Sequence, residues 1–203
     1  DSTIGGWFQS TATLLAPLGE ALKKEVLAQD YVQVDESPIP VQGDHNEEGI
    51  RTGYHWVYHA PLIKAVLFNY APGRSAQFPT EALKDFRGAL QSDGYSGYDK
   101  LMQREGITAL ACMAHARRKF DHALQSDRPR AEHALKAFGD LYAIERTCDQ
   151  EEVPPEERHA RRNRDALPIL DELEMWLNQE IIVVAPKSPT GQAIAYTLGL
   201  WPR

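Results

Sequence analysis

The sequence predicts an α/β domain built on a five-stranded mixed sheet with flanking helices, followed by a mostly helical region. Three observations predict it. Residues 31–70 hold three segments of strand character joined by short turns. Residues 80–113 alternate helix with strand. Beyond residue 123, apolar residues recur only at helical spacing.

In chain order, residues 3–29 read as two short helices. Leu14, Leu15, Leu18, Leu22 and Val26 form the apolar stripe, and Pro17 opens the second helix, where its missing N–H costs nothing. Residues 31–35 alternate, with Val32 and Val34 on one face and Tyr31, Gln33 and Asp35 on the other. Residues 43–49 are polar and turn-like. Tyr54, Trp56 and Tyr58 then alternate with His55, Val57 and His59, and the apolar run 65–70 suits a central strand, which completes an antiparallel meander. After Pro72-Gly73 the period changes. Residues 80–86 predict a short helix burying Leu83 and Phe86, and residues 89–93 a fourth strand ended by Asp93-Gly94. A helix over 98–104 and a fifth strand over 107–113 follow, in the order of a right-handed parallel crossover. In the second half Ala134, Leu135, Phe138, Leu141 and Tyr142 form one stripe. Pro154-Pro155 introduces a charged helix that turns amphipathic at Leu170, Leu173, Trp176 and Leu177, kinked or restarted at Pro168. Ser188-Pro189 fits the N-cap and first turn of a last helix ending near Gly199.

Composition narrows the function classes. Hydrophobic residues make up 42% of the 203 and charged residues 25%, the balance of an ordinary globular chain. No apolar run reaches membrane length and no signal-peptide pattern opens the chain, so the expected location is the cytoplasm. Two cysteines, Cys112 and Cys148, are too few and too far apart for a disulfide framework or a cysteine zinc site. The formal net charge is −7, so a DNA partner would be held by local basic patches or by other parts of a longer protein, not by bulk charge. Asp1 and Arg203 both read as cuts within such a protein.

Two aspartates stand where chemistry is conceivable. Asp35, in Val34-Asp35-Glu36-Ser37-Pro38, lies on the polar face of a strand, where a carboxylate is either solvated or a metal ligand. Asp93 belongs to an Asp-Gly turn, which explains it without any ligand. Two aspartates at the ends of separate strands of one sheet can nevertheless converge on a divalent cation, and oxygen donors of this kind suit Mg²⁺ or Mn²⁺. Cys112-Met113-Ala114-His115 offers too few ligands for zinc. Arg117, Arg118 and Lys119 open a basic helix that is either a solvated face or a track for a phosphodiester backbone. Arg158, Arg161, Arg162 and Arg164, mixed with Glu156, Glu157 and Asp165, read as a salt-bridged exposed helix.

In order and spacing these strings resemble the IS66 family of bacterial insertion-sequence transposases. Leu15-Ala16-Pro17-Leu18 is similar to its leading helix and Asp35-Glu36-Ser37-Pro38 to its Asp-Glu-Thr-Pro segment. Gly53-Tyr54-His55-Trp56-Val57-Tyr58 is similar to its second strand. The stretch from Leu90 through Asp93-Gly94-Tyr95-Ser96-Gly97-Tyr98 resembles its second aspartate motif. Cys112 to Phe120 resembles its Cys-Trp-Ala-His-Ala-Arg-Arg-Lys-Phe string, and Pro186-Lys187-Ser188-Pro189 a late string of the family. The resemblance implies an RNase H-like fold and a DDE-type enzyme of DNA transposition and recombination. Asp35 and Asp93 would be catalytic and hold Mg²⁺ or Mn²⁺, Cys112 and His115 would neighbour them, and Arg117, Arg118 and Lys119 would bind DNA. Its partners would be transposon ends and target DNA, in a homo-oligomeric active complex.

Departures from the family pattern set further expectations. Ser37 stands for Thr and Met113 for Trp. The third family carboxylate, a glutamate in an Asn-Asn-x-x-Glu-Arg string, has no counterpart here, although Glu172 and Glu174 are available acids. The expected organisation is N-terminal helices over 1–30, an incomplete catalytic core over 31–122, and a helical insertion over 123–203 that stops before the third acid. A fragment so composed is expected to be inactive alone. The rival readings are an RNase H-like nuclease without strand transfer and a non-enzymatic DNA-binding transposase remnant.

Overall fold

The computed structural model describes residues 2–42 and 49–203, so most of the turn expected at 43–49 lies outside the described residues. The chain divides into two compact units, Asp1–Ala111 and Cys112–Arg203.

The first unit opens with one helix, α1 (Ser2–Leu27), where the sequence suggested two. The leucine spacing runs on through Pro17. The carbonyl that proline leaves without a donor lies on an exposed stretch of helix, where water can serve it. Nor is the stripe buried: Leu14, Leu15 and Leu18 are all exposed, and the helix enters the core only at Val26.

The sheet contains β1 (Tyr31–Gln42), β2 (Ile50–Ala60), β3 (Ala65–Ala71), β4 (Gly88–Ser92) and β5 (Ile107–Ala111), in the order β3-β2-β1-β4-β5. β1, β2 and β3 form the expected antiparallel meander, while β4 pairs in parallel with both β1 and β5. β3 is an edge strand, not a central one. An apolar run alone cannot tell the two apart, and here Phe68 and Tyr70 remain 63% and 46% exposed. Beyond Gln33, β1 pairs with β2 only, which makes it an edge where Pro38 and Pro40 are tolerated.

Alternation sets the core. Val32 and Val34 from β1, Trp56 and Tyr58 from β2, and Leu90 from β4 are buried with Val26, Leu83, Phe86, Tyr98 and Leu101. The helix expected at 80–86 forms earlier, as α2 (Gln77–Ala82), so Leu83 and Phe86 reach the core from the segment after it. Gly88 has φ of +130°, and a Cβ there would strike the Asp30 carbonyl. That close approach lets Ala89 N donate to Asp30 O at 2.7 Å and starts the parallel pairing. The helix expected at 98–104 is shorter, a 3₁₀ turn (Ser96–Tyr98) followed by α3 (Asp99–Met102). β5 ends at Ala111, two residues earlier than expected, because the Cys112 carbonyl already accepts from His115 N and Ala116 N and so begins a helix.

The second unit is helical: α4 (Met113–Ala123), α5 (Arg128–Gln150), α6 (Pro155–Arg161), α7 (Leu167–Val183) and α8 (Pro189–Leu200). Its core joins Ala116 and Phe120, Ala134 and Phe138, Leu173 and Leu177, and Ala193 and Ile194. Asp127 caps α5 and Ser188 caps α8, the latter accepting from Gly191 N at 3.0 Å as the Ser-Pro string suggested. Between α6 and α7 one π-turn (Arg162–Ala166) accommodates Pro168 in the first turn of α7. The arginine-rich stretch is salt-bridged as expected, though largely to acids of α5. Arg158 reaches Glu145 and Asp149, Arg161 reaches Glu151 and Glu157, and Arg162 reaches Glu145.

Candidate functional site

Register brings the two aspartates together. The last paired residues of β1 and β4 are Gln33 and Gln91. Asp35 and Asp93 each stand two residues further on, where the parallel strands part. A carboxylate oxygen of Asp35 lies within 4.8 Å of one of Asp93. The carboxyl ends of parallel strands are where open α/β sheets place ligands. One oxygen of each acid is fixed by a backbone N–H: Glu36 N donates to Asp35 Oδ1 and Tyr95 N to Asp93 Oδ1, both at 2.9 Å. Gly94, with φ of +81°, supplies the turn that lets Tyr95 N fold back. Asp35 is exposed and Asp93 half-buried. Two hard carboxylates at this separation suit a divalent cation with an oxygen preference.

Beneath the acids, on the same face of the sheet, lies a polar network that sequence reading did not single out. Gln33 Nε2 donates to Gln91 Oε1 at 2.7 Å and to the Tyr31 hydroxyl at 2.8 Å, and that hydroxyl donates to Gln91 Oε1. His59 Nδ1 lies 2.8 Å from Gln33 Oε1, and Gln91 Nε2 donates to Ala111 O at 3.1 Å. The network spans β2, β1, β4 and β5 and so fixes the register that delivers the two acids. Its signal was available, since Gln33 alternates in phase with Asp35.

On the opposite face Glu36 ties the two acid-bearing segments together. Its side chain is buried and accepts from Arg74 Nε at 2.7 Å and from the Tyr98 hydroxyl at 2.7 Å. Arg74 also lies over the Tyr95 ring, 3.8 Å from its centroid, and the Tyr95 hydroxyl donates to Arg74 O at 2.6 Å. Burial pushes the Tyr98 phenol far up, and its hydrogen bond to Glu36 adds to the shift. Tyr95 and Tyr98 follow Asp93 in the chain and Glu36 follows Asp35. The clamp therefore connects the two strings directly.

The remaining singled-out residues belong to the second unit. Cys112, which the sequence placed in the fifth strand, is the N-cap of α4, and His115 lies in the first turn of that helix. Among the described residues, no group of three or more potential metal ligands includes Cys112. Arg117 and Arg118 are exposed on α4, whereas Lys119 extends over the Tyr196 ring, 4.4 Å from its centroid. Glu172 and Glu174 lie on α7.

The sheet order and strand directions, with flanking helices, make this an RNase H-like fold. The profile described as "Transposase IS66 family" matches residues 1–203. The chain belongs to that family, a DDE transposase family. Among similar proteins are three uncharacterized proteins of Sinorhizobium fredii. The chain is 26% identical to y4hP over 98% of its own length and 40% of the relative's, and 28% identical to y4jD over 98% and 41%. It is 25% identical to y4qI over 97% and 39%. The chain thus spans about two-fifths of the length of the curated relatives it matches. No solved structure matches it significantly. Among the described residues no helix is long and apolar enough to cross a membrane.

Proposed function

We propose that Asp35 and Asp93 are two acidic ligands of a divalent-metal site through which this segment, within a longer transposase, cleaves insertion-sequence ends and joins them to target DNA. The observation that carries the reading is the in-register convergence of the two carboxylates at the parting of β1 and β4. When bound, Mg²⁺ or Mn²⁺ would polarise the scissile phosphate and make water or a 3′-hydroxyl a competent nucleophile. The chain's own part is positional. Backbone N–H groups set the planes of both carboxylates, the glutamine network holds the strand register, and the Glu36 clamp keeps the segment after Asp93 against β1. None of these side chains needs to form a covalent intermediate.

The reading takes residues 31–122 as the catalytic core and 123–203 as an insertion, and assigns the third acid to another part of the longer protein. Glu172 and Glu174 are the acids to test first should the segment prove active by itself. The decisive assay uses a protein of the relatives' length that contains this segment, with insertion-end DNA and Mn²⁺. End cleavage and strand joining are expected, and both vanish in Asp93→Asn. Cleavage without joining would make it a nuclease. Full activity in both Asp35→Asn and Asp93→Asn would remove the metal site.

A further inference from the structure

Apart from Arg203, the arginines of the second unit fall into two groups. Arg128, Arg130, Arg158, Arg161, Arg162 and Arg164 each form an ion pair with a carboxylate. Arg117, Arg118 and Arg146 form none among the described residues, although the chain carries 29 acids against 22 lysines and arginines. All three line one open cleft of about 590 Å³ between α4 and α5.

Helical spacing explains the convergence. Arg117, Arg118 and Asp121 lie on one face of α4, while Gly139, Tyr142 and Arg146 recur at i, i+3 and i+7 on the facing side of α5. Gly139 has no side chain to fill the floor, so the cleft stays open. Tyr142 is half-buried in its wall, and the Arg117 charge acts on its phenol, against the upward push of burial. Lys119, next in sequence, is turned onto Tyr196 of α8 and does not line the cleft.

We propose that this cleft binds the phosphodiester backbone of duplex DNA, with Arg146 as a third guanidinium beside Arg117 and Arg118. The proposal rests on the transposase reading only in taking DNA as the ligand. Guanidinium groups present rigid forks of donors that match phosphate oxygens. A pocket for a small phosphate ester would enclose most of its ligand, whereas this cleft is open and its arginines are exposed, which suits a polyanion laid across it. In a chain of net charge −7, attraction to DNA has to be local, and these are the second unit's arginines not already engaged by its own acids. Asp121 also lines the cleft and disfavours phosphate on its side.

The test is fluorescence anisotropy of the whole chain with labelled random-sequence duplex, titrated with salt in EDTA so that metal chemistry plays no part. Arg117→Gln, Arg118→Gln and Arg146→Gln should each weaken binding several-fold on every sequence and reduce the log–log salt slope by about one unit. Lys119→Gln should leave the slope unchanged. Arg146→Lys, which keeps the charge, should retain the slope and separates lost contact from lost folding. An unchanged slope in Arg146→Gln, or a loss seen only for competing inorganic phosphate, would overturn the proposal, as would no duplex binding by the wild-type chain. Slope changes as expected, together with no cleavage by a protein of the relatives' length that contains this segment, would support this site while sinking the proposed activity.

Discussion

Consecutive residues of β1 show two opposite treatments of a carboxylate. Glu36 faces the core, where it is 8% exposed and held by Arg74 and the Tyr98 hydroxyl. Asp35 faces the other way, is exposed, and is brought within 4.8 Å of a second acid. The first arrangement neutralises a charge with groups supplied by the fold. The second places two acids side by side, where a divalent cation would find oxygen donors. The difference separates a tie from a site: Glu36 holds the two acid-bearing segments in place so that Asp35 and Asp93 can be close.

Replacing either aspartate should therefore cost function and not stability. In a protein of the relatives' length, Asp35→Asn or Asp93→Asn should lower metal-dependent end cleavage by at least about 10³-fold, equivalent to ~4 kcal/mol of transition-state stabilisation. The same change without metal should leave the melting temperature within a few degrees of the unaltered protein's, roughly the range of a surface substitution. A variant both inactive and markedly destabilised would mean that the aspartates are structural.

Disturbing the buried acid should cost stability first. Arg74→Met strands the Glu36 charge in the core and should cost about 3 kcal/mol in denaturant unfolding. Tyr98→Phe removes one hydrogen bond to that charge and should cost roughly 1.5–3 kcal/mol. Because the Tyr98–Glu36 bond ties the segment after Asp93 to β1, activity should also fall, though by less than in Asp93→Asn. Near-neutral stability of Arg74→Met would show that the clamp contributes little.

The smallest effect belongs to the second unit. Hydrogen bonding from Arg162, supported by Arg158, holds the Glu145 carboxyl below its usual range. A carboxylate whose pKa is lower folded than unfolded stabilises above its unfolded pKa, near ~4.3, and loses that contribution as pH falls through the folded value. With Glu145 partly exposed, Glu145→Gln should cost about 0.5–1 kcal/mol at pH 7 and nothing once the pH lies below both values. A difference that persists at the lowest pH would place its effect in packing.

What the sequence displayed was periodic or local. Period-two alternation around Val32, Val34, Trp56 and Tyr58 identified the buried face of the sheet and set Asp35 on the other. The Asp93-Gly94 turn was visible in two residues, as was the Ser188 cap. What it hid depended on distant partners. Nothing near Ala65–Ala71 says that no strand lies beyond it, and nothing in the leucines of α1 says that they stay exposed. Glu36 sat beside Asp35 in the same string, but its partners are 38 and 62 residues away. Its one local signal was an acid in phase with Val32 and Val34, at a position where burial demands compensation. Arg146 likewise joins Arg117 only because α5 packs on α4.

The most direct test of the metal site is Mn²⁺ binding by the 203-residue chain itself, followed by the electron paramagnetic resonance of free Mn²⁺ against Asp35→Asn and Asp93→Asn. Two carboxylates supply part of an octahedral oxygen shell, so weak binding is expected in the wild-type chain and none above background in either variant. Equal Mn²⁺ uptake by all three proteins would contradict the assignment of Asp35 and Asp93 as metal ligands.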